Sequence, residues 1–167
     1  ILPYLGNDEF VLSNFSPEEY SVHHAVVYTN DVNLSLRSRI IQQYEGYESY
    51  TMIARSALVT PSSKIAGGCA LMEGAIVNGA ILAQNSVINT KAVIEHGCIL
   101  GNNVFVGPGA IVCGDTCIGD NVLVGAGVII RDGIEITENV TIGMGSVVVR
   151  SIVEPGVYLG NPCRKIR

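Results

Sequence analysis

A period of six residues runs through the second half of the chain. From Ile76 onward every sixth residue is aliphatic: Ile76, Leu82, Ile88, Ile94, Leu100, Val106, Val112, Ile118, Val124, Ile130, Ile136, Ile142 and Val148. The residue four places after each of the first twelve is nearly always small: Ala80, Ser86, Ala92, Cys98, Val104, Ala110, Thr116, Val122, Val128, Ile134, Val140 and Ser146, with only Ile134 bulkier. An α-helix repeats at 3.6 and a strand at 2, so six fits neither alone. It does hold a short strand plus a turn. With both columns pointing inward, each hexad makes one side of a prism, and three sides close a coil of eighteen residues. Coils of this kind stack at the strand spacing of ~4.8 Å and bury their apolar sides only against each other, as solenoids do.

The period slips by one upstream, where Val59, Ile65, Leu71 and Val77 also step by six. Residues 58–76 therefore read as opening coils, with a bulge or insertion between "LMEG" and "AIVNGA". Gly101, Gly107, Gly119, Gly125 and Gly143 each follow an anchor and read as turn positions with unusual backbone angles. The repeat region is taken as 55–150, followed by a capping segment over 151–167 with two prolines and a basic end.

The solenoid interior accounts for a hydrophobic content of 48% without a membrane span, because no run approaches ~18 apolar residues. Fifteen acids against ten bases give no support for a nucleic-acid partner. Five scattered cysteines without a CxxC pair fit a reducing cytoplasm better than a disulfide framework. Residues 1–54 read as a partial α/β unit. "HAVVYT" (24–29) predicts a strand, and Leu36, Ile40 and Tyr44 predict a helix over 34–45, stopped at Gly46. Ligands of such units sit beyond the strand ends, which makes Thr29 and Asn30 candidate substrate contacts. An ordinary loop explains them equally. His23 and His24 read as surface residues at the strand start, since no further metal ligands lie nearby, and no metal site is expected.

"VINTKAVIEHGCILGNNVFVGPGAIVCG", the junction "ARSALVTPSSKIAGGCALMEGAIVN" and the ending "GVYLGNPCRKI" resemble one branch of the hexapeptide-repeat acyltransferases. That branch contains sugar-nucleotide N-acetyltransferases and sialic-acid O-acetyltransferases. The resemblance implies a mainly β fold, a left-handed parallel β-helix, joined to a Rossmann-like N-terminal subdomain. Handedness comes only from the resemblance, since parallel crossovers are otherwise overwhelmingly right-handed. It also implies a cytoplasmic homotrimer that uses acetyl-CoA as co-substrate and a nucleotide-linked sugar as acceptor.

His96 is the only histidine within 58–167. With Ile94 and Cys98 inward it projects outward near a turn, where a lone histidine is usually just solvated. The resemblance places the family's general base at this position. Imidazole, with an ordinary pKa near ~6.5, is suited to take a proton from an attacking amine. Two departures stand out. The acid that usually follows the histidine is replaced by Gly97, and a second histidine nine residues on is replaced by Phe105, near the expected acetyl thioester. Glu95, or a carboxylate from another subunit, is the candidate substitute for the acid. The resemblance puts main-chain cofactor contacts at Gly114, Ala126 and Met144. Arg150, Arg164, Lys165 and Arg167 make a basic end that suits the phosphates of CoA, or is simply solvated. The cysteines are assigned to packing.

The leading expectation is an acetyl-CoA-dependent N-acetyltransferase acting on a nucleotide-linked amino sugar. O-acetylation of sialic acid or another small hydroxyl acceptor is the alternative, and a catalytically impaired trimeric scaffold is a second. A hexapeptide carbonic anhydrase needs three zinc-binding histidines, which the repeat does not offer.

Overall fold

The computed structural model describes residues 3–25 and 33–167, with side chains from residue 37 onward in the second stretch. From Met52 to Val148 the chain winds through short strands separated by tight turns, which stack into three parallel sheets. A six-stranded face runs from Leu58–Val59 to Val147–Val148, and a five-stranded face from Lys64–Ile65 to Glu135–Ile136. The third face has eight strands and begins at Met52–Ile53. Register follows the eighteen-residue coil: Ile94 pairs with Val112, Val112 with Ile130, and Ile130 with Val148. This is a β-solenoid of about six turns.

Both inward columns form as the period demands. Every member from Ala80 to Val148 is at most 3% exposed. The hydroxyls caught inside find carbonyls: Ser86 Oγ donates to Gly101 O at 3.0 Å, Thr116 Oγ1 to Cys113 O at 2.8 Å, and Ser146 Oγ to Gly143 O at 2.7 Å. Buried hydroxyls without such partners would destabilise the coil.

The slip lies elsewhere than expected. Val77 is fully buried and pairs with Ile94, whereas Ile76 faces outward and is half-buried. The missing residue is in the turn Asn78–Gly79–Ala80, which leaves a side of five residues before Ile81–Leu82. Gly79 makes the short corner possible with φ +64°, and its N–H is held by Thr60 Oγ1 at 2.7 Å and Ser63 Oγ at 2.9 Å.

The five anchor-following glycines also need correction. None has a left-handed φ; those angles fall later in each turn, at positions such as Gly97, Asn103 and Asp115. The five are glycine because of close approach. A Cβ on Gly107 would lie 2.7 Å from Ala126 N, one on Gly125 2.6 Å from Met144 N, and one on Gly119 2.7 Å from Glu138 N.

In the N-terminal part, α1 (Asp8–Asn14) is capped by Asn7, whose side chain accepts from Phe10 N at 3.0 Å. β1 (Ser21–Val22) pairs in parallel with β2 (Glu48–Ser49), and α2 (Asn33–Gln43) ends ahead of Gly46, which has φ +105°. Among the described residues this pair is the only sheet before Met52. The strand expected at 24–29 falls largely outside the described residues, as do Thr29 and Asn30; His24 and Ala25 have no regular structure.

His24 is not a surface residue. It is 6% exposed and meets Tyr44 edge-on at 5.5 Å. Burial, with the Arg37 guanidinium as the next cause, pushes its pKa below the ordinary imidazole value. Arg37 is itself 2% exposed and fastens α2 to the solenoid, donating to Asn85 O at 2.8 Å and Asn103 Oδ1 at 3.0 Å. At the other end Gly156–Leu159 joins the eight-stranded face, and Arg164–Lys165 folds back antiparallel on it.

Candidate active site

Residues one coil apart lie over each other, so each corner of the prism is a column. The His96 column carries Thr60–Ser63, then Asn78–Gly79, then Glu95–Gly97, then Cys113–Asp115, then Arg131–Gly133. Gly97 N donates to Gly79 O at 3.3 Å, Asp115 N to His96 O at 2.8 Å, and Gly133 N to Gly114 O at 3.0 Å. This corner joins the six-stranded and five-stranded faces, since it follows Val93–Ile94 and precedes Ile99–Leu100.

His96 is exposed and points outward, as the register requires. Its imidazole lies against the Cα of Gly114. A Cβ on Gly114 would stand 2.6 Å from His96 Cε1, 2.9 Å from Nε2 and 3.2 Å from Nδ1. Gly114 is buried beneath the ring. Among the described residues no hydrogen-bond partner engages either ring nitrogen. An exposed, unengaged imidazole seated on a rigid turn is able to accept a proton from an incoming group.

Glu95, the nearest acid in sequence, is half-buried, and its Oε2 accepts from Asn78 Nδ2 at 2.9 Å. It serves the preceding coil rather than the imidazole. Gly97 adopts φ +70°, and the space of its absent side chain is filled by Asp115: a Cβ there would collide with Asp115 Oδ1 and lie 3.2 Å from its Cγ. Sequence reasoning did not single out Asp115. The available signal was its spacing, eighteen residues after Gly97, which is one full coil.

The expected cofactor residues divide. Gly114 sits under His96. Ala126 and Met144 stack on the next corner, at the far edge of the six-stranded face, and Gly145 N donates to Ala126 O at 2.8 Å. Both are exposed, and among the described residues nothing accepts the N–H of either. Phe105 lies apart from both corners. It is 9% exposed on the eight-stranded face and lines a cavity of about 150 Å³ with His23, His24, Met52, Met72 and Asn89. Cys98 is buried, its Sγ donates to Cys113 O at 3.2 Å, and burial pushes its thiol pKa up, all of which fits packing rather than nucleophilic attack. At the basic end Lys165 Nζ is engaged by Glu154 Oε2 at 2.9 Å.

Both faces that meet at the His96 corner carry exposed aliphatic side chains, with Lys64 and Glu135 at the two ends of the five-stranded one. Leu58, Ile111 and Ile129 on one are 64%, 37% and 43% exposed, and Ile81 and Ile99 on the other are 42% and 48% exposed. Among the described residues no helix is long and apolar enough to cross a membrane, and no group of three or more His, Cys, Asp or Glu is placed to hold a metal ion.

Comparison with known proteins agrees with this geometry. The family model described as bacterial transferase hexapeptide (six repeats) matches residues 115–150. No curated protein matches the sequence. The acetyltransferase domain of PglB from Neisseria gonorrhoeae FA1090 is 31% identical, with a TM-score of 0.86 over 95% of this chain and 77% of that one. The same domain in complex with acetyl coenzyme A is 30% identical, with a TM-score of 0.85 over 93% and 75%. PerB from Caulobacter crescentus, in complex with CoA and GDP-perosamine, is 25% identical, with a TM-score of 0.90 over 99% and 79%. The stacked hexads thus define a hexapeptide-repeat transferase. More narrowly, the chain belongs to the hexapeptide-repeat acyltransferases and is an acyl-CoA-dependent enzyme.

Proposed function

We propose that the chain transfers the acetyl group of acetyl-CoA to an amine of a nucleotide-linked amino sugar, with His96 as general base at an interface between subunits of a homotrimer. The observation that carries this is the seating of His96, an unengaged imidazole held outward on Gly114 at the corner between two exposed aliphatic faces. The amine attacks the thioester carbonyl and loses a proton to His96 as the C–N bond forms. Collapse of the tetrahedral intermediate breaks the C–S bond, and the departing thiolate takes the proton back from the imidazolium. Main-chain N–H groups stabilise the oxyanion and hold the cofactor. The free N–H groups of Ala126 and Met144 suit the second task.

The outward aliphatic columns support association, since contiguous apolar surface of this kind marks an interface. Packing one solenoid face on another would bring the His96 corner of one subunit near the Ala126–Met144 corner of its neighbour. PerB in complex with CoA and GDP-perosamine supports a sugar-nucleotide acceptor. The acceptor would lie against the N-terminal part, read as Rossmann-like, with Thr29 and Asn30 as candidate contacts. Five free thiols and the use of acetyl-CoA favour the cytoplasm.

A thiol-release assay tests this reading. The protein is incubated with acetyl-CoA and a panel of UDP-, GDP- and TDP-linked amino sugars, beside the same sugars bearing a hydroxyl in place of the amine. Thiol release that requires the amine is expected. Release only with the hydroxyl sugars, or with none, overturns it.

A further inference from the structure

We infer that Asp115 is a positioning residue for His96. This inference rests on His96 being the base. An exposed imidazole samples several orientations, and a carboxylate that accepts the N–H of one ring nitrogen fixes the tautomer and leaves the other nitrogen free to take a proton. Two acids lie in the His96 turn and in the turn one coil on, Glu95 and Asp115. Glu95 is engaged by Asn78 Nδ2 at 2.9 Å. Asp115 is exposed, and among the described residues nothing donates to its carboxylate.

The backbone ties the two residues together. Asp115 N donates to His96 O at 2.8 Å, and the imidazole rests on Gly114, the residue directly before Asp115. Asp115 Oδ1 occupies the space that a side chain on Gly97 would fill. A side chain at 97 and the Asp115 carboxylate, as it stands, compete for one space beside His96. The turn itself does not ask for the charge. Asp115 has φ +57°, a conformation in which Asn serves as well as Asp. The remaining charged groups on the corner are Arg131 and Asp132 one coil on and Arg150 beyond them.

The test compares kcat and KM of the native protein, Asp115→Asn, the double variant Gly97→Asp/Asp115→Gly, and His96→Ala, with acetyl-CoA and the best amino-sugar acceptor. Asp115→Asn keeps the turn. It is expected to lower kcat about 10- to 100-fold, a loss typical of a misaligned catalytic group, with the KM for acetyl-CoA unchanged. The double variant returns a carboxylate from the other side of the same space and should recover most of the lost kcat. Asp115→Asn within about twofold of native kcat, where a misaligned base would cost far more, overturns the inference. So does a loss of rate with no recovery in the double variant. Full activity in His96→Ala instead removes the reading on which the inference stands.

Discussion

At Gly114 a hydrogen stands where any other residue would place a carbon 2.6 Å from His96 Cε1. Its φ is not left-handed, so alanine there strains no backbone and meets only the free end of an exposed side chain. Gly114→Ala should therefore fold normally and displace the imidazole. We expect kcat/KM to fall about 10- to 100-fold with an unchanged thermal midpoint, as read by thiol release and a melting curve, because a shift of ~1 Å at a reacting group costs that much. Gly107 makes the opposite case. A Cβ there strikes Ala126 N at 2.7 Å, which is main chain and cannot swing aside, so Gly107→Ala should lower the melting temperature. Sequence alone led to His96, because the repeat holds no other histidine. It did not reveal that Gly114 is the seat of the ring, or that Asp115 fills the space beside Gly97. Those are contacts across eighteen residues, visible only when the period is used to stack coils as well as to sort inside from outside.

The strands and turns show where a pattern reads unambiguously. The two inward columns were legible because burial in a hexad leaves no choice of face. The slip was misplaced because Ile76 and Val77 are both aliphatic, so either could be the anchor. Hydrogen bonding of Gly79 to Thr60 and Ser63 decides it, and no local pattern encodes that. The turn glycines were misread because composition does not separate a left-handed φ from a close approach. The burial of His24 was hidden for a related reason: its partners Tyr44 and Arg37 lie on or beside α2, which the fold lays over it. A histidine whose folded pKa is depressed supplies stability that is fully present above the unfolded value of ~6.5 and is lost as pH falls through the folded value. Arg37 and His23 add to the depression, and Asp8 opposes it. Acidification below ~6.5 should therefore loosen α1 and α2 before the solenoid, since the unfolded segment then binds the extra proton. Hydrogen exchange across residues 8–14 and 33–43 is the measurement, and His24→Gln should abolish the pH dependence.

The whole molecule is a prism with a covered face and two apolar ones. Each coil buries its interior against its neighbours, which stabilises the solenoid along its axis but leaves Leu58, Ile111 and Ile129 outside. On the proposed function, assembly covers them and completes the site, because one subunit offers His96 while the free N–H groups of Ala126 and Met144 lie a full face away. Ile111→Asp/Ile129→Asp should yield folded monomers by analytical ultracentrifugation, with retained β circular dichroism and no thiol release. Monomers with native turnover would show that one chain suffices. The central claim is the chemical one, that a single imidazole on this corner carries the proton. It is tested most directly by the steady-state rate of His96→Asn with acetyl-CoA and an amino-sugar acceptor. Its kcat should fall about 10²- to 10⁴-fold, the usual contribution of a general base, with the KM for acetyl-CoA kept. A His96→Asn enzyme within about threefold of the native rate, far short of that contribution, would contradict it.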